Sequence, residues 1–300
     1  MKTDLDHLPQ AKRDELARVV KVLFEEFEDA LLLKTGKHRK AGRILKIVLF
    51  GSYARGDWAE DPKGGYFSDY DILVVVNHQE LTDLEYWAKA DDHLTREVTI
   101  AKRISVPVNF IVHSLGDVND QLSHGRYFFR DIVRDGIALY EAPGHPFSAP
   151  RPLSPETAAQ EAERYFQQWF PRAESAAKGA RFYLAEREPK DAAFLFHQVA
   201  ERLYHCVLLV LTLYSPKSHK LNFLRSLCES HDSRLLAAWP RETKFEKRCF
   251  ELLRRAYVDA RYSPHYRITD AELAWLNDRI NRLMKLVEAI CTERLGSGPK

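Results

Sequence analysis

Residues 47–76 read IVLFGSYARGDWAEDPKGGYFSDYDILVVV and decide the fold of the first half of the chain. Two apolar runs of strand length stand at the ends of this stretch, one stopping at Gly51 and the other following Asp71. Residues i and i+2 of a strand project from the same face, so Asp69 and Asp71 point together. Two carboxylates on one face repel each other unless a cation joins them, and Mg²⁺ takes oxygen ligands of this kind. The pair therefore predicts a magnesium site at the end of a strand.

The Gly51-Ser52 step at the end of the first run adds groups that suit a phosphate. Its backbone N–H groups and hydroxyl come close to the carboxylates, and the glycine lets a phosphate approach the main chain. Arg55 would neutralise phosphate charge. Taken alone, a Gly-Ser step is common turn chemistry and an Asp-x-Asp is often a solvated strand end. Together, each attached to an apolar strand, they favour a phosphate site with its cation.

The segments around this stretch alternate between helical and strand patterns. An amphipathic helix is expected over residues 8–34, and a basic linker, KHRKAGR, precedes the first strand. Further helical patterns cover residues 80–101 and 115–136, and ISVPVNFIVHS supplies a third strand over 104–114. The alternation predicts an α+β domain with a small mixed sheet and helices packed against it.

The pattern changes near residue 142, where APGHPFSAPRPLSP carries five prolines in fourteen residues. This composition suits an extended connection and disfavours a helix or a strand. We therefore place a domain boundary here, with one domain over residues 1–146 and a second over 147–300. Beyond it only helical periodicity is found, which predicts an all-α helical bundle of four or five helices. The expected helices span residues 155–186, 189–214, 219–229, 242–262 and 270–295.

Composition places the chain among ordinary globular proteins. Apolar residues make up 45% and charged residues 29%, which is too apolar for disorder, and a net charge of +2 argues against a dedicated DNA binder. No segment has the pattern of a signal peptide or about 18 consecutive apolar residues, so we expect a cytoplasmic protein. The four cysteines share no short spacing, which predicts buried reduced thiols and no zinc site. They are Cys206, Cys228, Cys249 and Cys291.

The motif GSYARG followed by SDYDILV resembles the signature of the nucleotidyltransferase superfamily related to DNA polymerase β. Within it, the sequence is most similar to the minimal and the aminoglycoside nucleotidyltransferases. The resemblance implies transfer of a nucleoside monophosphate, usually AMP from ATP, onto an acceptor hydroxyl, with Mg²⁺ stabilising the displacement. It also implies that Asp69 and Asp71 are the catalytic carboxylates that bind Mg²⁺. The residues expected against the nucleotide are Gly51, Ser52, Arg55 and Ser68.

Two departures from this family pattern bear on the activity. Sixteen residues separate Ser52 from Asp69, so DWAEDPKGGYF is an insertion that either forms a flap over the nucleotide or lengthens the loop. The third carboxylate of active members is replaced by Asn109, whose amide ligates a metal only weakly and cannot accept a proton. Either a loop acid substitutes for it, or the domain is a nucleotide-binding sensor or interaction module with little turnover. The loop acids are Asp57, Glu60 and Asp61.

In the second half, DAAFLFHQVAERLYHCVLLVLTLYSPKSHKLNFLRSL and YVDARYSPHYRIT resemble the HEPN domain, over about residues 155–295. The resemblance implies a helical bundle that dimerises, so we expect a homodimer through this domain. Some HEPN domains are ribonucleases with an Arg and a His separated by four to six residues. Arg261 and His265 have three residues between them and miss that spacing, which disfavours ribonuclease activity.

A nucleotidyltransferase joined to a HEPN bundle resembles a fused pair of an RNA-cutting toxin and an antitoxin that modifies it with AMP. The leading hypothesis is a transferase that uses ATP and Mg²⁺, whose acceptor is a protein tyrosine, an RNA end or a small molecule. A ribonuclease toxin with an attached antitoxin-like transferase is a further alternative.

The remaining histidines are expected to be packed residues. His197 and His205 lie eight residues apart on one predicted helix, so both are expected to face the same neighbour, and no carboxylate partner is identified for them. His219 is expected to cap the start of the following helix. Tyr257 and Tyr262 follow helical spacing and fit a core or a dimer interface as well as a ligand.

Overall fold

The computed structural model describes residues 1–32, 41–61 and 66–296. The chain forms two compact units, Met1–Pro152 and Leu153–Lys300. The first contains a mixed four-stranded sheet with helices, and the described residues of the second contain helices and no strand. The expected α+β domain with a small mixed sheet, followed by an all-α bundle, is therefore confirmed.

The sheet of the N-terminal unit places β1 and β4 side by side at its centre. The strands of this unit are β1 (Ile44–Phe50), β2 (Glu60–Asp61), β3 (Tyr66–Phe67), β4 (Tyr70–Val76), β5 (Val108–Ser114) and β6 (Ile137–Glu141). The sheet order is β5-β4-β1-β6, with β1 antiparallel to β4 and β6, and β4 parallel to β5. β1 and β4 are buried along their whole length, which explains their continuous apolar runs. β2 and β3 form a separate antiparallel pair.

The helices of this unit depart from the sequence prediction in two places. The expected helix over 80–101 begins as two short 3₁₀ segments, and the expected helix over 115–136 is broken near Gly125. Gly125 has a φ of 67°, a left-handed conformation that ends a helix. β6 is missing from the prediction because five residues directly after a helical pattern are too few to show their own period. The helices are α1 (Gln10–Leu32), α2 (Gly51–Arg55), α3 (Ala88–Thr99), α4 (Leu115–Ser123) and α5 (Tyr127–Asp135).

The proline-rich connection is held against the N-terminal unit. The Nζ atom of the buried Lys46 lies 4.9 Å from the ring centre of Phe147. The backbone N–H of Ser148 donates to Oδ1 of Asn119 at 2.8 Å. Most of this stretch thus belongs to the first unit, which extends to Pro152.

The C-terminal unit is a bundle organised around one central helix. Its helices are α6 (Pro155–Ala185), α7 (Pro189–Thr212), α8 (Leu221–His231), α9 (Lys244–Tyr262) and α10 (Asp270–Gly296), with a 3₁₀ segment at Ser233–Ala238. α7 packs against each of the other four helices. Thr243 and Glu246 form a capping box that fixes the start of α9. All four cysteines are buried free thiols, as predicted.

Among the described residues, α7 is the one helix long and apolar enough to cross a membrane by length and composition. The helix contains charged and polar residues such as Glu201 and His205, so it has no run of about 18 consecutive apolar residues. In the structure, 67% of its apolar window is buried inside the bundle, because the other helices surround it.

Candidate active site

The two aspartates of the motif lie at one end of the central strands. Asp71 is the second residue of β4, opposite Phe50 on β1 and opposite Asn109 on β5, and it is 5% exposed. Asp69 stands just before β4 and is half-buried. Because β1 ends at Phe50, the turn that starts at Gly51 lies beside Asp71. This end of the sheet brings together both carboxylates, the glycine turn and Asn109.

Gly51 is required by the carboxylate next to it. Its φ of 74° lies in the left-handed region that favours glycine. A Cβ atom added to it would lie 2.5 Å from Oδ2 of Asp71, which is far inside van der Waals contact. The close approach of the main chain to Asp71 therefore excludes any side chain at position 51.

Asn109 bonds to the carboxylate pair from the neighbouring strand. Its side chain is 8% exposed in β5, and Nδ2 donates to Oδ2 of Asp69 at 3.0 Å. An amide that donates in this way adds no negative charge to the site and accepts no proton. Where the family resemblance implies a third carboxylate, the structure thus has a hydrogen-bond donor.

The electrostatics of the site are dominated by Asp71. Burial, and next the charge of Asp69, raise the pKa of Asp71 well above its ordinary value. A hydrogen bond from Asn109 and the charge of Arg55 act in the opposite direction but do not cancel these effects. Oδ1 of Asp71 is buried and has no hydrogen-bond partner among the residues that the structure describes. A buried oxygen left in this state costs about 1–3 kcal/mol, so the site favours a ligand that satisfies it.

The donor atoms at this end of the sheet suit a divalent cation. Asp69 and Asp71 offer carboxylate oxygens on one face, and Mg²⁺ commonly binds through one or two carboxylates together with substrate phosphates. Within residues 1–32, 41–61 and 66–296, no group of three or more His, Cys, Asp or Glu side chains could hold a metal ion. Two aspartates would therefore share the cation with phosphate and water oxygens.

The other predicted nucleotide contacts lie around this pair. Arg55 stands in the last turn of α2, with Nε 3.2 Å from Oδ2 of Asp57. Ser52 is half-buried in the same helix. Ser68 is buried, and its hydroxyl accepts a hydrogen bond from the backbone N–H of Ala59 at 2.9 Å. The hydroxyl of Ser68 thus fixes the chain just before the first aspartate.

Two of the three loop acids that the sequence offers as substitutes for a third carboxylate form ion pairs. Asp57 pairs with Arg55, and Oε1 of Glu60 lies 3.0 Å from Nζ of Lys12 in α1. The side chain of Asp61 lies outside the described residues, as does the stretch 62–65 on which a flap would depend.

In the helical unit, Arg261 and His265, the two candidate ribonuclease residues, have different surroundings. Arg261 lies in the last turn of α9, where Nε donates to the carbonyl of Tyr257 at 2.7 Å. Its guanidinium carbon lies 4.6 Å from the Tyr257 ring centre and 4.8 Å from that of Tyr262. His265 follows the helix and is exposed.

The helical unit also contains a cluster that the sequence analysis misses, centred on a buried carboxylate. Glu201 is 7% exposed and lies among three imidazoles. Oε2 of Glu201 is 3.6 Å from Nε2 of His197, and Oε1 is 3.9 Å from Nε2 of His205. Oε1 is also 3.0 Å from Nδ1 of His219.

Two expectations about these histidines are corrected. His197 and His205 do face a common neighbour, but the expectation of no carboxylate partner is wrong, since that neighbour is Glu201. The spacing i, i+4, i+8 on one helix was the available signal. His219 does not cap α8, because Lys220 holds the N-cap position, without a side-chain bond.

Comparison with known proteins agrees with the two-part fold. The model of the nucleotidyltransferase domain matches residues 32–127, and that of the HEPN domain matches residues 166–293. The chain belongs to the nucleotidyltransferase family and carries a HEPN domain after the transferase domain. A relative from Methanocaldococcus jannaschii, named "Putative protein adenylyltransferase", is 35% identical over 116 residues. This match covers 39% of the present chain and 93% of the relative.

Proposed function

We propose that the chain transfers AMP from ATP to an acceptor on a protein, with Mg²⁺ as the required cation. The observation that carries the proposal is the buried oxygen of Asp71, which has no partner within the described part of the chain, beside a second carboxylate and a glycine turn. The nucleotidyltransferase match supports the reaction class, and the name of the archaeal relative supports both the adenylyl group and the protein acceptor.

Each group at the site has a role in this proposal. Asp69 and Asp71 would hold the cation, which when bound supplies charge stabilisation for the transferring phosphate. Gly51 and Ser52 would lie against the triphosphate, and Arg55 would offset its charge. The acceptor attacks the α-phosphorus in line with the departing pyrophosphate.

The acceptor group is the part of the reaction that the site constrains least. The resemblance implies a hydroxyl, carried by a protein tyrosine, an RNA end or a small molecule. A hydroxyl must lose its proton during attack, and Asn109 cannot accept it. This residue is also the observation that favours a second candidate function, a nucleotide sensor that binds ATP without transfer.

The test is incubation of the purified full chain with α-labelled ATP and Mg²⁺, beside an Asp69→Asn/Asp71→Asn variant. The matched control is Asp120→Asn, which removes an exposed carboxylate of α4. Label transfer that is lost in the double variant and kept in the control supports the transferase. Metal-dependent binding without transfer to protein, RNA or small molecules supports the sensor. Absence of both binding and transfer contradicts the proposal.

The same preparation tests the ribonuclease alternative. RNA is added without ATP, and its degradation is compared with that in a His265→Ala variant. Degradation that is lost in His265→Ala would support a ribonuclease activity of the helical unit.

We also propose a homodimer through the helical unit and a cytoplasmic location. The HEPN match and exposed aromatic side chains such as Phe182 and Tyr262, 60% and 72% exposed, support the dimer. The buried free thiols support a reducing compartment. Light scattering of the full chain tests the dimer, and a monomer mass at micromolar concentration would contradict it.

A further inference from the structure

The imidazole of His219 is exposed to solvent but fixed by a buried carboxylate. Its side chain is 58% exposed, whereas that of Glu201, 3.0 Å from its Nδ1, is 9% exposed. An ionised carboxylate only accepts hydrogen bonds, so Nδ1 carries the hydrogen. The neutral ring then has its lone pair on Nε2.

A second contact fixes the plane of the ring. His219 stacks on Tyr257 with ring centres 4.5 Å apart and an interplanar angle of 12°. The guanidinium of Arg261 lies against the same tyrosine ring. The imidazole of His219 is therefore held by two contacts, one to Glu201 and one to Tyr257.

Glu201 remains ionised in its buried position. Burial raises its pKa, but the hydrogen bonds and charges of His197 and His219 outweigh that effect, so its pKa is lower than usual. Gln198 donates a further hydrogen bond from the same helix, with Nε2 3.3 Å from Oε2 of Glu201. A carboxylate that accepts the Nδ1 hydrogen makes the opposite nitrogen of an imidazole more basic and holds it in one orientation.

The side chains of the transferase site favour an acceptor that does not have to lose a proton before it attacks. Asn109 lies where the family resemblance implies an acid, and its amide cannot take a proton from a hydroxyl. A neutral imidazole nitrogen attacks without losing a proton first. An acceptor of this kind therefore fits the site better than an aliphatic hydroxyl.

We propose that Nε2 of His219 is the acceptor of the nucleoside monophosphate, an inference that rests on the proposed function. The Nε2 lone pair forms a bond to the α-phosphorus. The bond from that phosphorus to the bridging oxygen breaks, and pyrophosphate leaves with the electron pair. The ring becomes an imidazolium whose Nδ1–H stays hydrogen-bonded to the ionised Glu201. The product is a phosphoramidate.

His124 is an exposed histidine whose surroundings differ from those of His219. His124 in the N-terminal unit is paired with Asp120, but the carboxylate side chain there is 64% exposed and its influence is weakened by water. His124→Gln is therefore a matched control. It also removes an exposed imidazole beside a carboxylate, but that carboxylate is exposed and not buried.

The test follows protein-bound label from α-labelled ATP in the full chain with Mg²⁺. We expect label on His219 by peptide mapping, and label that is lost in mild acid but kept in alkali, as phosphoramidates are. His219→Gln is expected to lose at least roughly tenfold of the label, and Glu201→Gln to lose on the order of tenfold, the usual effect of removing an orienting partner. His124→Gln is expected to label like the unchanged chain.

The outcomes separate this inference from the proposed function. Acid-stable label on a hydroxyl residue, or full labelling of His219→Gln, overturns the acceptor and leaves the transferase standing. Label that reaches only added RNA or small molecules does the same. Peptide mapping and acid lability are measured on the unchanged chain, so they show whether His219 is the acceptor even if a variant fails to fold. No transfer to any acceptor overturns both.

Discussion

Two buried carboxylates, Asp71 in the N-terminal unit and Glu201 in the helical unit, have opposite surroundings. Burial and the charge of Asp69 place the pKa of Asp71 above the ordinary range, and one oxygen of Asp71 has no donor among the described side chains and backbone groups. Glu201 has three imidazoles around it, and its pKa lies below that range. Burial acts on both in the same direction, so the partners decide the difference. A carboxylate with an unsatisfied oxygen is ready for a ligand, whereas a satisfied one orients the side chains already present.

The largest expected effect comes from adding a methyl group beside Asp71. Gly51→Ala places Cβ 2.5 Å from Oδ2 of Asp71, so the carboxylate must move, and label transfer should fall at least roughly 100-fold. Gly144→Ala is the control, because Gly144 also has a positive φ, 81°, but nothing lies within 4 Å of its Cβ position. Equal activity of the two variants would show that the position of Asp71 does not matter.

The comparison also predicts opposite effects of two amide substitutions on stability. Without added metal, Asp71→Asn should raise the free energy of unfolding by about 1 kcal/mol, since burial and the charge of Asp69 both disfavour the ionised carboxylate. Glu201→Gln should lower it by about 2 kcal/mol, since three imidazoles lose their anion. Denaturant unfolding in the presence of a chelator measures both. Changes of the same sign would break the comparison.

The pH dependence of these two variants sharpens the same point. The folded pKa of Glu201 is depressed, so its contribution is present above its unfolded pKa of about 4.3 and is lost as pH falls through the folded value. The folded pKa of Asp71 is raised, so its penalty grows as pH rises above its unfolded value of about 3.9. The deficit of Glu201→Gln should therefore shrink in acid, and the gain of Asp71→Asn should grow toward neutral pH. This pH dependence would be contradicted if the difference in free energy of unfolding between each variant and the unchanged chain stayed constant between pH 3 and 7.

The smallest expected effect concerns the amide next to the pair. Asn109→Asp replaces a donor 3.0 Å from Asp69 with a third negative charge, which should cost roughly 1 kcal/mol without metal. Millimolar Mg²⁺ should reverse the loss, since the cation offsets the added charge. Thermal unfolding with and without Mg²⁺ measures the difference, and a loss that Mg²⁺ leaves unchanged would argue against a cation at this position.

The central strands and the five helices of the bundle could be predicted because their signals are local. β1 and β4 contain the apolar runs 47–50 and 72–76, which end before Gly51 and begin after Asp71, and each helix has its own apolar period. β6 has no such signal, because it is short and becomes a strand only by pairing with β1. Its edge position depends on a tertiary contact that no local pattern encodes.

The candidate site was predictable to the same extent. The common face of Asp69 and Asp71 follows from strand geometry, and the position of Asn109 follows from the next strand along the chain. The contact between Gly51 and Asp71 does not, because it depends on how β1 and β4 pair. The bond between His219 and Glu201 joins a linker to a helix, so sequence spacing alone does not reveal it.

The most direct test of the central claim is a titration of Mn²⁺, as a spectroscopic substitute for Mg²⁺, in the presence of a non-hydrolysable ATP analogue. We expect the cation and the nucleotide to bind together to the unchanged chain. We expect Asp71→Asn to weaken cation binding at least roughly 100-fold, about 2.7 kcal/mol. Glu201→Gln should bind both ligands like the unchanged chain. The assignment of Asp69 and Asp71 as cation ligands would be contradicted if Asp71→Asn bound the cation as tightly as the unchanged chain. Nucleotide binding that does not depend on the cation would contradict it as well.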